Sequence, residues 1–312
     1  MWQANTVSAR LAAAGGPRCR SVVIKTSGDR LADAPLSEVG GKRLFVKEIE
    51  EALLGNEIDL AVHSSKDMPA VLPDGLAIAG VLPREDPLDA VVLPTGVMSG
   101  FGRTATSADE IVELVAHFGQ SPRIGTGSVR RVAQLSRIFS GARFVPIRGN
   151  LDTRLKKLDA GGYDALVLAA AGLRRLGFAP RISMALPVSA CVPAPGQGTV
   201  AIEIREGDDA VGRLVAGIDD QAAGAALEAE RALVAALGGG CQTPIGALAS
   251  PLDEDTIELV AVVVSLDGSR VVRGTARGPR REAAAIGARV AAQLIAGGAN
   301  EILTDARSHL SR

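Results

Sequence analysis

Residues 58–69, Ile58-Asp59-Leu60-Ala61-Val62-His63-Ser64-Ser65-Lys66-Asp67-Met68-Pro69, run from an apolar, β-prone segment straight into a polar cluster that stops at a proline. The pattern predicts a strand whose carboxyl end delivers hydroxyls, a cation and an acid into one loop. Further β-prone runs fall at 21–25, 76–81, 88–93, 143–147, 164–169 and 199–204. Between them apolar residues recur at helical spacing, as in Leu44, Phe45, Ile49 and Leu53, or Val132, Leu135 and Ile138. Strands alternating with helices predict an α/β fold with crossover helices over most of residues 1–205. In open α/β sheets ligands bind outside the carboxyl ends of strands, so His63, Ser64, Ser65, Lys66 and Asp67 are expected at a crevice. The plainer alternative is a capping loop in which Asp67 bonds nearby backbone and Lys66 is solvated.

Composition narrows the class. With 312 residues the chain suits two or three domains better than one core. Hydrophobic residues make up 47% of it but aromatics only 3%, so the core must be built from Ala, Val, Leu and Ile. The 34 basic and 35 acidic residues leave a net charge of −1, which argues against holding nucleic acid through bulk charge. No apolar run approaches the roughly 18 residues of a membrane span. The start, Met1-Trp2-Gln3-Ala4-Asn5, lacks the pattern of a secretory signal. Cys19, Cys191 and Cys241 are odd in number and far apart, which suits neither a disulfide framework nor a Cys-x-x-Cys metal site. A cytoplasmic monomer without metal or membrane partner is the expectation.

Two interruptions punctuate the α/β order. Pro94-Thr95-Gly96-Val97-Met98-Ser99-Gly100-Phe101-Gly102 reads as a boundary or surface insertion, and Val192-Pro193-Ala194-Pro195-Gly196-Gln197-Gly198 as a bend or hinge. After residue 220 the pattern changes to a helix at 220–237, a glycine-cysteine loop, two β-prone runs (256–265 and 270–276) and a helix at 281–297. Asp267-Gly268 between those runs is a hairpin signal. A separate, small α+β domain is expected there.

A second strand-to-loop element, Arg123-Ile124-Gly125-Thr126-Gly127-Ser128-Val129-Arg130-Arg131, places small residues before a helix that opens with two arginines. Free N–H groups at a helix start attract anions, and Thr126 and Ser128 add hydroxyls. Arg130 stands where a dinucleotide fingerprint needs its third glycine, and no Gly-Lys-Ser/Thr ending follows, so a carboxylate gripped by guanidinium forks is the better guest. Arg148, Gly149 and Arg154 repeat the arrangement after 143–147, and Arg174 and Arg175 follow 164–169. Arginines at successive strand ends of a nearly neutral chain predict a ligand with many carboxylates. Glycine-containing loops at 25–29 and 40–45 suggest a cover across 28–43. Finally, Gly238-Gly239-Gly240-Cys241-Gln242-Thr243-Pro244 lets the backbone present a thiol close to something bulky. On these residues alone Cys241 is either an inert thiol in a helix C-cap or a covalent attachment point.

Together Val62–Pro69, Gly125–Arg131, Arg148–Arg154, Pro195–Gly198 and Gly239–Gly246 resemble, in order and spacing, the porphobilinogen deaminase (hydroxymethylbilane synthase) family, from Trp2 into the C-terminal domain. The resemblance implies an α/β fold of two periplasmic-binding-protein-like domains with mixed sheets, a small C-terminal α+β domain, and an active site in the cleft between the first two. It implies that Cys241 holds a dipyrromethane cofactor through a thioether and that Asp67 is catalytic, beneath the pyrrole nitrogens. The implied reaction condenses four porphobilinogen molecules head to tail with loss of ammonia, then releases hydroxymethylbilane by hydrolysis. Ser65, Lys66, Asp67, Thr126, Ser128, Arg130, Arg131, Arg148, Gly149 and Arg154 match cofactor-binding positions. Arg148, Arg154, Arg175, Gln197 and Lys42, the last on a mobile loop, match substrate-binding ones.

The expected division is domain one at 1–94 and 197–218, a connector at 95–120, domain two at 121–196, and a cofactor-attachment domain at 219–312. The resemblance also implies a strand and an Arg-x-Ser turn ahead of Trp2 that this sequence does not contain, so part of domain one is expected to be missing. It further implies a glycine where Arg43 stands and a connector shorter than 95–120. A non-enzymatic anion-binding protein of the periplasmic type is the rival of another class, and it leaves the Cys241 loop unexplained.

Overall fold

Three sheets carry the fold, and the computed structural model describes it over residues 1–26, 46–97, 108–240 and 242–310. The chain opens with α1 (Trp2–Ala13) and α2 (Lys47–Leu54), followed by β1 (Leu60–Ser64), β2 (Leu76–Val81) and β3 (Asp89–Val92). Next come α3 (Ala108–His117), β4 (Arg123–Gly125), α4 (Val129–Leu135), β5 (Arg143–Val145) and α5 (Leu151–Lys157). These lead to β6 (Ala165–Ala169), α6 (Ala170–Arg175), β7 (Met184–Ala185), β8 (Val200–Arg205) and α7 (Asp209–Ala216). The last third holds α8 (Gln221–Ala236), β9 (Ile245–Pro251), β10 (Thr256–Val264), β11 (Val271–Pro279), α9 (Ala283–Ala296) and α10 (Ala299–Leu310).

The first sheet has the order β1-β8-β2, with β8 antiparallel to both neighbours. Its period-two pattern separates two cores: Val200 and Ile202 pack with Val7 and Leu11 of α1, whereas Ala201 packs with Leu227 of α8. The second sheet, β5-β4-β6-β3-β7, is mixed: β4 runs parallel to β5 and β6, while β3 is antiparallel to β6 and β7. Both of its faces are covered, one by Leu135 and Phe139 and the other by Leu155, Leu158 and Leu173. The third sheet, β11-β10-β9, is antiparallel, and α8 and α9 bury one face through Leu233, Ile286 and Val290. Its other face, through Leu248, Val262 and Val264, packs against Ala133 of α4. The Asp267-Gly268 turn forms as expected, and Arg137 Nη1 donates to the Gly268 carbonyl at 3.1 Å, pinning the hairpin tip to the end of α4.

Three expectations change. Residues 21–25 form no strand: no described strand lies beside them, and Val22 and Val23 are 49% and 69% exposed. Alternation predicts a strand only where a neighbour completes the hydrogen bonds. The run 88–93, expected in the first domain, is hydrogen-bonded into the second sheet as β3. All four of its residues are buried, as suits an inner strand covered on both faces. Strand β9 was not anticipated, because Pro244, Gly246 and Pro251 punctuate a run of small residues with little β-propensity. No described helix is long and apolar enough to cross a membrane.

Candidate active site

Strand β1 ends at Ser64 and the chain makes one 3-10 turn, Ser65–Asp67. Met68 anchors the turn by packing into the core with Val81, Ala201 and Leu227, which leaves Lys66 and Asp67 facing outward. The Ser65 amide donates to the Thr199 carbonyl at 3.0 Å, but its buried hydroxyl has no hydrogen-bond partner. Opposite lies Gly196, at φ +74°; a Cβ there would sit 2.6 Å from Ser65 Oγ. Only glycine lets the segment that returns to the first sheet press against this turn. His63 belongs to the sheet rather than the turn: its Nε2 lies 2.9 Å from Oε2 of buried Glu203 on β8.

The second sheet supplies cations of two kinds. At the start of α4, Ser128 caps the helix by accepting from the Arg131 amide, and the Thr126 hydroxyl accepts from the Ser128 amide at 3.3 Å. Arg130 and Arg131 then turn inward to one carboxylate. Asp89, fully buried at the start of β3, accepts from Arg130 Nη1 at 2.6 Å, Arg131 Nε at 2.9 Å and Gln197 Nε2 at 2.9 Å. Burial alone would push the Asp89 carboxyl up, but the two guanidiniums and the hydrogen bonds from Arg130 and Gln197 outweigh it and hold it far below the usual carboxylate range. Cys191, with Sγ 3.3 Å from Asp89 Oδ2, is pushed up to about 12 by burial and by that acid, so it is no nucleophile.

Three of the expected binding residues thus have internal partners. Gln197, expected at substrate, is 1% exposed and spends its amide nitrogen on Asp89 and the Pro87 carbonyl. Arg130 and Arg131 are not free forks but clamped ones; of the two, only Arg130 retains a buried nitrogen without a partner, Nε.

Arg148 and Arg154 are the other kind. Gly149, at φ +107°, turns the chain after β5, and the Asn150 side chain caps α5 by accepting from the Thr153 amide at 2.9 Å. Arg154 Nε donates to the Gly149 carbonyl at 2.8 Å, and its terminal nitrogens have no acceptor among the described residues. The half-buried Arg148 side chain has none either. Burial, then the charges of Arg131 and Arg148, lower the Arg154 pKa, while Asp67 opposes them, so these groups share one field. Asp67 opens to solvent on one side but is ringed by protein on the others. That burial raises its pKa against the opposing charges of Lys66, His63 and Arg154. Lys66 is lowered to about 8 by burial, opposed first by Asp67.

A cleft brings the three sheets together. Ser65 and Lys66 form one wall, Ser128 and Arg130 a second, and Arg231, Gly240 and Thr243 a third. Thr243 Oγ1 donates to the Gly240 carbonyl at 2.6 Å, closing the loop around position 241. Cys241 itself, Lys42 and the expected cover at 28–43 lie outside the described residues. Arg175 sits apart, beside a hollow on the other side of Lys66; its Nη2 donates to the Gly198 carbonyl at 2.6 Å and its guanidinium lies 5.5 Å over the Trp2 ring.

The sequence reading missed Asp89 and Glu230, the two acids that build this site. Glu230 of α8 is fully buried and accepts from Arg84 Nη1 at 2.7 Å, the Gly196 amide at 2.6 Å and the Ala249 amide at 2.7 Å. Both acids interrupt apolar patterns, Asp89 in Leu88–Leu93 and Glu230 on the buried stripe Ala223, Ala226, Leu227, Leu233 and Val234, and that was the available signal. Among the described residues no cluster of three His, Cys, Asp or Glu side chains could hold a metal ion. An arrangement of open guanidiniums around a solvent-facing acid can bind a polyanion and stabilise a cation formed within it.

The family model "Porphobilinogen deaminase, dipyromethane cofactor binding domain" matches residues 1–213, and "Porphobilinogen deaminase, C-terminal domain" matches residues 225–296. The chain is 44% identical over 308 residues to a porphobilinogen deaminase of Moorella thermoacetica, covering 98% of this chain and 93% of that protein. A porphobilinogen deaminase of Geobacter metallireducens is 44% identical over 306 residues, covering 98% and 91%. Among solved structures, the Bordetella pertussis BvgS VFT2 domain aligns at 16% identity and a TM-score of 0.39, over 70% of this chain and 76% of that one.

Proposed function

The chain belongs to the porphobilinogen deaminase family, and from that premise we propose that it condenses four porphobilinogen molecules head to tail, with loss of ammonia, to hydroxymethylbilane. The observation that carries this reading is that Asp67 shares one electrostatic field with Arg148 and Arg154, while its neighbour Lys66 and Arg130 line a cleft with Gly240 and Thr243, the residues on either side of Cys241.

The family's dipyrromethane fits what is present. Ser65 Oγ and Arg130 Nε are buried polar atoms without partners, and Arg148 and Arg154 keep open N–H groups, a donor set suited to carboxylates. In this reading Cys241 holds the group as a thioether, and the group supplies a free pyrrole α-position as primer. Arg130, Arg131, Arg148 and Arg154, with Ser65, Lys66 and Ser128, take its acetate and propionate side chains, while Thr126 and Gly149 shape the loops. Arg148, Arg154, Arg175 and Lys42 receive the incoming substrate. Asp67 accepts from the substrate's pyrrole N–H and stabilises the positive charge that develops there when ammonia leaves, a charge larger in the transition state than before it. Its raised pKa also makes it a better proton carrier than an ordinary carboxylate.

The proposed setting is a cytoplasmic monomer, a transferase of tetrapyrrole biosynthesis. In its proposed division the first domain is built on the β1-β8-β2 sheet, the second begins between β2 and β3 rather than at residue 121, and the third starts near residue 219. A purely anion-binding role is not favoured, because an acid among the cations would weaken it. Intact-mass measurement tests the reading: wild type should carry a thiol-linked two-pyrrole adduct that is absent from Cys241→Ser. Active protein without the adduct overturns it.

A further inference from the structure

Arg231 stands in the third wall of the cleft, on α8, between Leu227 and Val234, which line the same space one turn before and after it. The half-buried side chain borders a second hollow as well, beside Asp219 and Glu228, without an ion pair to either. Its Nη2 donates to the Ala70 carbonyl at 2.9 Å, and Ala70 also lines the cleft. That is its one hydrogen bond, and no carboxylate pairs with it among the described residues. The adjacent Glu230 is taken by Arg84, and Glu203, the acid whose charge it feels, is 2.9 Å from His63. A cation crowded by protein without a counter-ion is costly, and it persists where a ligand supplies the missing charge.

We infer that Arg231 is a further carboxylate-binding residue of this cleft, gripping an acidic side chain of the group tethered beside Gly240. The inference rests on the proposed function above. It adds a cation from the C-terminal region to those at the strand ends, on the side of the cleft nearest the attachment loop. Glu230 holds α8 to the Gly196 amide and to β9, so the guanidinium is presented from a fixed helix.

The test uses full-length protein made without porphobilinogen, titrated with porphobilinogen while intact mass follows adduct formation. Arg231→Gln keeps a donor for the Ala70 carbonyl and removes the charge; Arg231→Lys keeps the charge. Arg231→Gln should need about tenfold more porphobilinogen for half-loading, the scale of one lost charge-assisted hydrogen bond. Arg231→Lys should fall between it and wild type, with thermal midpoints unchanged for both. The surface control Arg281→Gln should load normally. Loading of Arg231→Gln at the wild-type concentration would show that the residue only anchors Ala70 and would overturn the inference. If Arg231→Gln does not fold, normal half-loading by Arg231→Lys supports the charge requirement and loss of loading in that charged variant refutes it. Wild type that gains no mass at Cys241 defeats the functional reading itself, a separate result.

Discussion

Asp89 and Asp67 serve the same cationic neighbourhood from opposite environments. Asp89 is sealed beneath Arg130, Arg131 and Gln197, and its carboxyl is held far below the ordinary range. Asp67 opens to solvent on one side within the field of Lys66 and Arg154, and its partial burial raises it. Two carboxylates with pKa values driven apart have different work to do: one is a permanent anion that fixes arginines, the other a group able to respond to charge or protons. The arginines divide in the same way. Those of α4 spend most of their donors on building the wall, with Arg130 Nε left over, whereas Arg148 and Arg154 keep their terminal nitrogens in reserve.

The sharpest way to break this contrast is Asp89→Ala. It strands two guanidiniums in the interior and should lower unfolding stability by about 3–5 kcal/mol, read from urea denaturation. Because the folded Asp89 pKa is depressed, its stabilisation is present at neutral pH and lost only as pH falls below the usual carboxylate range. A variant as stable as wild type would leave the inner cluster without its assigned role. Asp67→Asn should do the reverse, reducing kcat by roughly 10²–10³-fold while leaving stability unchanged or slightly raised, since an acid with an elevated pKa destabilises the fold at neutral pH. Comparable losses of stability in the two variants would erase the distinction.

Arg148→Leu should accumulate enzyme-bound intermediates or lack the adduct, with porphobilinogen requirement up roughly tenfold and thermal midpoint unmoved. Unchanged turnover would remove Arg148 from the site. The smallest effect is in pH dependence. Lys66 titrates at about 8, so KM should rise a few-fold as pH passes that value, and Lys66→Arg should abolish the rise. Its pKa is lowered from 10.5, so the strain of holding it charged is fully present below about 8 and is relieved as pH rises toward 10.5.

The loops at strand ends were legible because the sequence shows both the apolar run and the polar residues that follow it, as at Val62–Asp67 and Ile124–Arg131. What those residues touch was not. Arg130, Arg131 and Gln197 look the same in sequence whether they meet a ligand or an internal acid, and the acid comes from a distant strand. Strand pairing was hidden for the same reason: β3 joins the second sheet because β6 and β7 flank it, not because of anything within residues 88–93. Arg231 was lost in an alanine-rich helix, where a single cation resembles a solvated residue.

Glu230 gives the molecule a keystone. One side chain receives an arginine that follows β2, the backbone of the strap returning to β8, and the first amide beyond Leu248 in the third sheet. Cutting away the C-terminal third would therefore do more than discard an attachment loop: it would strip Arg84 of its carboxylate, leaving it only the Gln197 carbonyl, and the Gly196 amide of its acceptor. Sheets separable on paper are thus mutually dependent in folding, and a fragment ending before α8 should behave as an unfinished protein.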